Sequence, residues 1–233
     1  MNRLFVNPRN ISRVSFRKDI NVLRALAVLA VVMYHYELAN FSGGWLGVDV
    51  FFLISGYLIG NIIISELNTK KFSFKNFYLR RVKRILPTLF LTNLLTLILG
   101  FVFLDYVKIV ELSRSIIASV FFYANYFFAG LDFYTAGGSE KIPLLNTWSL
   151  AVEEQFYLIF PITIYFLSRF RKNIFLTSII LITVFSVLLN QTDDVLKFYY
   201  LPHRAWEFLI GVILNFLRKI KLIQTFSYMG YVI

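Results

Sequence analysis

The sequence predicts an all-α fold: a multi-pass transmembrane helical bundle of about 6–8 membrane segments. Three observations carry this. Of the residues, 58% are hydrophobic and 18% aromatic, but only 16% are charged, where soluble domains carry about a quarter charged. Apolar runs recur along the chain, each near the ~20 residues that cross a bilayer as a helix. Basic residues gather in the stretches between those runs, as topology signals do. In water such a chain would expose large apolar patches.

The elements follow in order. "MNRLFVNPRNISRVSFRKDI" is too long and polar for a signal peptide, and no small-residue cleavage site follows it. It is expected to be a cytoplasmic tail, with the N-terminus inside. Apolar segments are then predicted at 22–41, 45–66, 86–104, 115–130, 148–167, 174–190 and 198–217. A last run begins at Leu222 and stops at Ile233. Four stretches hold most of the Lys and Arg: the tail (Arg3, Arg9, Arg13, Arg17, Lys18), the 67–85 stretch, Arg169–Lys172 and Arg218–Lys221. The positive-inside rule makes all four cytoplasmic.

That assignment leaves three apolar segments between two cytoplasmic stretches, where an even number of crossings is required. The segment at 115–130 is the shortest, ~24 Å at helical rise. It is expected to be re-entrant or to lie against the bundle, where protein can satisfy its backbone. A tilted full span is the alternative. Labelling a cysteine at Ser139 from the cytoplasm alone would refute the first version.

The absence of cysteine excludes disulfides and thiolate metal sites. Two histidines without ligand spacing predict no metal. The net charge of +11 reads as topology and lipid contact, with no nucleic acid among the partners.

Several polar groups interrupt the apolar segments. In "RALAVLAVVMYHY", Arg24 and His35 are eleven positions apart, three helical turns plus ~20°. They share one helix face, ~16 Å apart along the axis. An ionisable residue at that depth is a functional hypothesis; a neutral, hydrogen-bonded His with a snorkelling Arg is the alternative. Gly43 and Gly44 suit a tight turn. A helical hairpin about Ser42 would bring Asp49 level with His35, as a carboxylate that orients the imidazole. Asp49 could instead cap its helix. Gly56 and Gly60 form GxxxG, read as close helix packing.

"FYLRRVKRILP" ends the 67–85 stretch, expected to be the first cytoplasmic loop, with Arg81 and Arg84 as RxxR. On a helix these share a face and can clamp phosphates; a headgroup anchor is the alternative. Pro87 just beyond suits an extended approach or a first turn. "LLNTWSLAVEEQFYLIFP" carries Glu153 and Glu154, which point ~100° apart on a helix. Arg204 and Glu207 are spaced i, i+3, which suits a structural ion pair within an apolar segment; pairing of Arg204 with a Glu of the 148–167 segment is the alternative.

Five stretches, "LRALAVLAVVMYHY", "GGWLGVDVFFLISGYLIG", "FYLRRVKRILP", "NTWSLAVEEQFYLIFP" and "YYLPHRAWEFLIG", together resemble acyltransferase family 3. These are integral membrane enzymes that O-acylate surface glycans. The order is the family's, and the likeness covers roughly residues 19–217. It implies a single integral membrane acyltransferase-like domain over 1–233, in the inner (plasma) membrane. The donor would be acyl-CoA, usually acetyl-CoA, on the cytoplasmic side, with no bound cofactor. The acceptor would be a hydroxyl of a saccharide or glycolipid.

Residue by residue, the resemblance puts the family's Arg-x10-His on Arg24 and His35, with His35 catalytic. Its RxxR, associated with the donor, falls on Arg81 and Arg84. Its Trp-Ser-Leu-x-Val-Glu falls on Trp148, Ser149 and Glu153. Arg24, Trp148 and Ser149 are then substrate-binding, and Asp49 or Glu153 would orient or charge-balance His35. His35 is either general base or transient acyl carrier. The sequence departs from the family at Asn21-Val22, where Asp-Gly is common, and at His203, which receives no role. Family members usually continue for several more spans, so the chain is expected to be incomplete at its C-terminus. The rival reading is a truncated remnant, or a non-enzymatic transporter or scaffold whose acids and His line a solute path.

Overall fold

A computed structural model describes residues 18–36, 43–131, 142–170, 172–189, 191 and 196–217. The basic tail before Lys18, Ser42, Ser139, the Arg218–Lys221 cluster and the run from Leu222 lie outside the described residues. What is described is helical, with no strand among it.

The helices are α1 (Lys18–His35), α2 (Leu46–Asn68), α3 (Phe74–Phe103), α4 (Tyr106–Val120), α5 (Ala124–Ala129), α6 (Thr147–Leu167), α7 (Lys172–Leu189), α8 (Leu196–Tyr199) and α9 (Leu201–Leu217). Three of them, α2, α3 and α6, are long and apolar enough to cross a membrane, and Ile174–Leu189 is a shorter apolar helix. α1 has 18 residues, but Lys18, Asp19 and Arg24 sit among them. The helices fall into two compact units.

The first unit holds α1, α2, α6 from Ile162, α7 and α9 from Arg204. Glycines set its packing. A Cβ on Gly44 would lie 2.2 Å from the Ala30 oxygen, and one on Gly47 2.5 Å from the Ala27 oxygen. α1 and α2 therefore meet through small residues, and Gly44 does more than turn the chain. α2 and α9 cross still more closely. A Cβ on Gly56 would come 1.9 Å from the Phe208 oxygen, and one on Gly211 2.0 Å from the Leu53 oxygen. The expected GxxxG packing is thus present, with α9 as its partner. Phe52 stacks on Phe208 beside the crossing, centroids 4.5 Å apart. Asn215 Nδ2 donates to the Tyr57 carbonyl at 3.0 Å.

The second unit holds α3, α4, α5, α6 up to Pro161, α8 and the first residues of α9. α3 starts at Phe74, capped by Ser73, whose hydroxyl accepts from Asn76 N. It begins twelve residues ahead of the predicted apolar segment and takes in the whole RxxR stretch. Charges did not stop the helix because Arg and Lys stems lie along its surface while their heads reach water. Pro87 is accordingly an interior residue of α3, not a first-turn residue. Neighbouring groups can satisfy a backbone freed by proline in a membrane helix.

The predicted segment at 115–130 is broken. α4 ends at Val120, Phe122 has φ 55°, and α5 runs for only six residues. At helical rise, α4 reaches about 22 Å, short of the ~30 Å hydrocarbon core. Protein groups satisfy the break: Gln155 Nε2, from α6, donates to the Phe122 carbonyl at 2.9 Å. The 198–217 segment is broken too, at Tyr200, and α9 restarts with Pro202 in its first turn, where proline costs nothing.

Candidate active-site residues

In the second unit, the candidate groups come from the start of α3 and the first half of α6. Tyr78 donates to the Leu158 carbonyl at 2.9 Å and ties the two helices together. One turn on, the Arg81 guanidinium lies over the Tyr157 ring, 5.1 Å from its centroid. Phe77 presents a second ring at 5.7 Å. Arg84 is exposed and Arg81 half-buried. The Tyr157 hydroxyl donates to Glu153 Oε1, one turn back on the same helix. Glu154, 100° around the helix, lies within electrostatic reach of both Arg81 and Arg84. Its Oε1 is buried and finds no hydrogen-bond donor among the described residues. The adjacent acids therefore part: Glu153 is engaged by a hydroxyl, and Glu154 faces the arginines.

Trp148 is buried at the start of α6, packed between Phe198 at 4.6 Å and Tyr199 at 5.3 Å. Ser149 donates to the Asn146 carbonyl. Both residues fix the beginning of the helix. Behind them lies a polar pair that sequence reasoning missed. Asn125 is 0% exposed; its Nδ2 donates to the Tyr199 carbonyl at 3.1 Å. Its Oδ1 accepts from Gln155 Nε2 at 2.8 Å.

In the first unit, α1 is one continuous helix through Arg24 and His35, as the eleven-residue spacing requires. Arg24 lies over the Phe51 ring at 5.8 Å. His35 Nδ1 lies 2.8 Å from the Val31 carbonyl. A carbonyl only accepts, so Nδ1 is the donor of this bond, and Nε2 is the ring nitrogen left for other partners. The orienting group for His35 is therefore its own helix backbone. Among the described residues, no hydrogen bond joins His35 to Asp49.

Asp49 goes elsewhere, which corrects the expected hairpin pairing. Its Oδ1 accepts from Arg204 Nη2 at 2.5 Å. Arg204 Nε sits 3.1 Å from Glu207 Oε1, as the i, i+3 spacing predicted. That approach is a charge contact without hydrogen-bond alignment, and both Glu207 oxygens lack a donor among the described residues. The physical reason is the glycine crossing of α2 and α9. It brings a guanidinium fork, well matched to a carboxylate, to Asp49. Arg204 also lies over the Phe52 ring at 5.5 Å.

A family model described as an acyltransferase domain matches residues 17–232. The chain belongs to acyltransferase family 3. Relatives of this acyltransferase family 3 chain include the O-acetyltransferase OatA of Staphylococcus aureus (strain NCTC 8325 / PS 47). It is 37% identical over 205 residues, which cover 84% of this chain and 34% of the relative. The putative O-acetyltransferase SAS0844 of Staphylococcus aureus (strain MSSA476) is 32% identical over 214 residues, 88% of this chain and 35% of the relative. The chain thus spans about a third of the length of the curated relatives it matches. No solved structure matches.

For this acyltransferase family 3 chain, the structure brings Arg81, Arg84, Glu153 and Glu154 together within one unit, with Tyr157 among them. Tyr157 was missed in the sequence, yet its signal was legible: it stands four residues after Glu153, on the same helix face. Gln155 and Asn125 left no such signal, since thirty residues separate them.

Proposed function

We propose that this chain is the membrane portion of an O-acetyltransferase. It moves an acetyl group from cytoplasmic acetyl-CoA to a hydroxyl of a saccharide or glycolipid at the plasma membrane. The observation that carries this reading is the Arg81–Arg84 pair. Two guanidiniums stand at i, i+3 on the basic first turns of an apolar helix, where an anionic donor approaching from the cytoplasm would meet them. Arg81 is seated on aromatic faces, and guanidiniums bind phosphate oxygens bidentately. Family membership over residues 17–232 supports the acyl chemistry.

His35 serves the acceptor. With Nδ1–H given to Val31, Nε2 takes the proton of the acceptor hydroxyl. The hydroxyl oxygen adds to the thioester carbonyl, the carbon–sulfur bond breaks, and the departing thiolate receives a proton. In the alternative form, Nε2 attacks the thioester first and the hydroxyl displaces the acyl group from the ring. Arg24, on the same helix face, contacts substrate at the cytoplasmic end of α1.

The test uses membranes carrying the full-length protein and radiolabelled acetyl-CoA. His35→Ala is expected to abolish label transfer to saccharide at unchanged protein level. Retained transfer would end the assignment. Labelled hydroxylamine-sensitive protein in the absence of acceptor would select the acyl-carrier form.

A further inference from the structure

Arg81 is an unusual cation. Its guanidinium is half-buried, yet no acceptor among the described residues hydrogen-bonds it, and its Nε is fully buried without a partner. Two aromatic faces hold it instead, Phe77 from one turn earlier on α3 and Tyr157 from α6. Two carboxylates lie within electrostatic reach of it, Glu154 and Glu153. Glu153 is engaged by the Tyr157 hydroxyl. Tyr157 itself is 5% exposed, so its ring and hydroxyl are fixed by packing.

We propose that Tyr157 is a positioning residue that keeps the Arg81 guanidinium open to an anionic ligand, the phosphates of the acyl donor. The ring supports the cation by its π face and leaves the N–H donors unused. The hydroxyl holds the Glu153 carboxylate, which would otherwise turn onto those donors as a bidentate partner. One side chain thereby orients the phosphate-binding arginine and restrains one of its two internal competitors. This rests on the donor reading of Arg81 and Arg84.

Equilibrium binding of CoA to the detergent-solubilised full-length protein tests it. Tyr157→Phe keeps the ring and removes the hydroxyl that engages Glu153. CoA affinity is expected to fall about fivefold, a cost near 1 kcal/mol by the tenfold-per-1.4 relation. Adding Glu153→Gln to Tyr157→Phe is expected to restore binding, because the competing side chain is now neutral. A merely structural role for Tyr157 would show no such rescue. Tyr157→Leu, which removes ring and hydroxyl, is expected to weaken CoA more than Tyr157→Phe does, and Glu153→Gln to restore it only in part.

Arg81→Ala separates the two levels. If it leaves CoA affinity unchanged, the donor reading fails and this inference fails with it. If Arg81→Ala weakens CoA while Tyr157→Phe does not, or if Glu153→Gln gives no rescue, the donor reading stands and the role of Tyr157 is overturned.

Discussion

Replacing Arg204 by Met tests the ion cluster of the first unit. The Arg204 side chain is 7% exposed, Glu207 1% and Asp49 20%. Arg204→Met keeps a long apolar stem on Phe52 and removes the cation that faces both carboxylates. Breaking a buried ion pair by removing one partner costs about 3–5 kcal/mol, since the other charge stays buried and uncompensated. Here Glu207 is the uncompensated group, while Asp49 recovers part of its solvation. Asp49→Asn is milder, about 1–3 kcal/mol, because Arg204 keeps Glu207 and a neutral amide can still accept a hydrogen bond. The triple variant Asp49→Asn, Arg204→Met, Glu207→Gln removes all three charges and is expected to recover most of the loss, as neutralised buried clusters do. Unfolding in mixed micelles, driven by SDS and followed through tryptophan fluorescence, reads these differences; Trp206 lies two residues from Arg204. An Arg204→Met midpoint equal to wild type would refute the reasoning. So would a triple variant as unstable as the single, since charge burial would then not be the cause.

The same unfolding assay compares two glycines of one motif. Gly56→Ala forces a Cβ against the α9 backbone and is expected to cost about 1–3 kcal/mol or more. Gly60→Ala meets only side-chain atoms at 3.1–3.3 Å and should be much milder; equal effects would contradict the crossing. Gln155→Leu strips the donor from the Phe122 carbonyl and from Asn125, for a loss of about 1–3 kcal/mol, seen as faster amide exchange in α4 and α5; unchanged exchange would refute the bracing role. At the α3–α4 turn, Asp105 accepts from Lys108 N at 2.9 Å, and this backbone donation holds its carboxyl below the usual carboxylate range. A depressed folded value means the cap is fully effective above the ordinary carboxylate value and is lost as pH falls through the folded one. Protection of the Lys108 amide should therefore drop below about pH 4, and Asp105→Asn should remove that dependence; an identical acid limb in the variant would exclude the carboxyl as its origin.

What the sequence disclosed, and what it hid, follows from how far each signal reaches along the chain. α2 and α6 were legible because an apolar run is its own evidence: Leu46–Asn68 and Thr147–Leu167 fall within two residues of the expected limits. The start of α3 was hidden because its charges resemble a loop, although a helix may continue past the hydrocarbon edge with Lys and Arg at the headgroups. Its consequence is chemical, since Arg81 and Arg84 acquire a fixed i, i+3 geometry only when that stretch is helical. The pairing of Asp49 was misread for the opposite reason. Hairpin reasoning offers the partner nearest in sequence, His35, whereas the guanidinium that takes the carboxylate stands 155 residues away. Its only trace in the sequence is a glycine on each helix, Gly56 and Gly211, and these become meaningful once the two helices are known to cross. Donation from the His35 ring to the Val31 carbonyl then does for His35 what Asp49 was expected to do. The imidazole is oriented by its own helix, and Asp49 pairs with Arg204. Arginine–carboxylate pairing locks the α2–α9 crossing in the first unit. In the second unit the Arg81 guanidinium is seated on aromatic rings, and its buried Nε has no hydrogen-bond partner among the described residues.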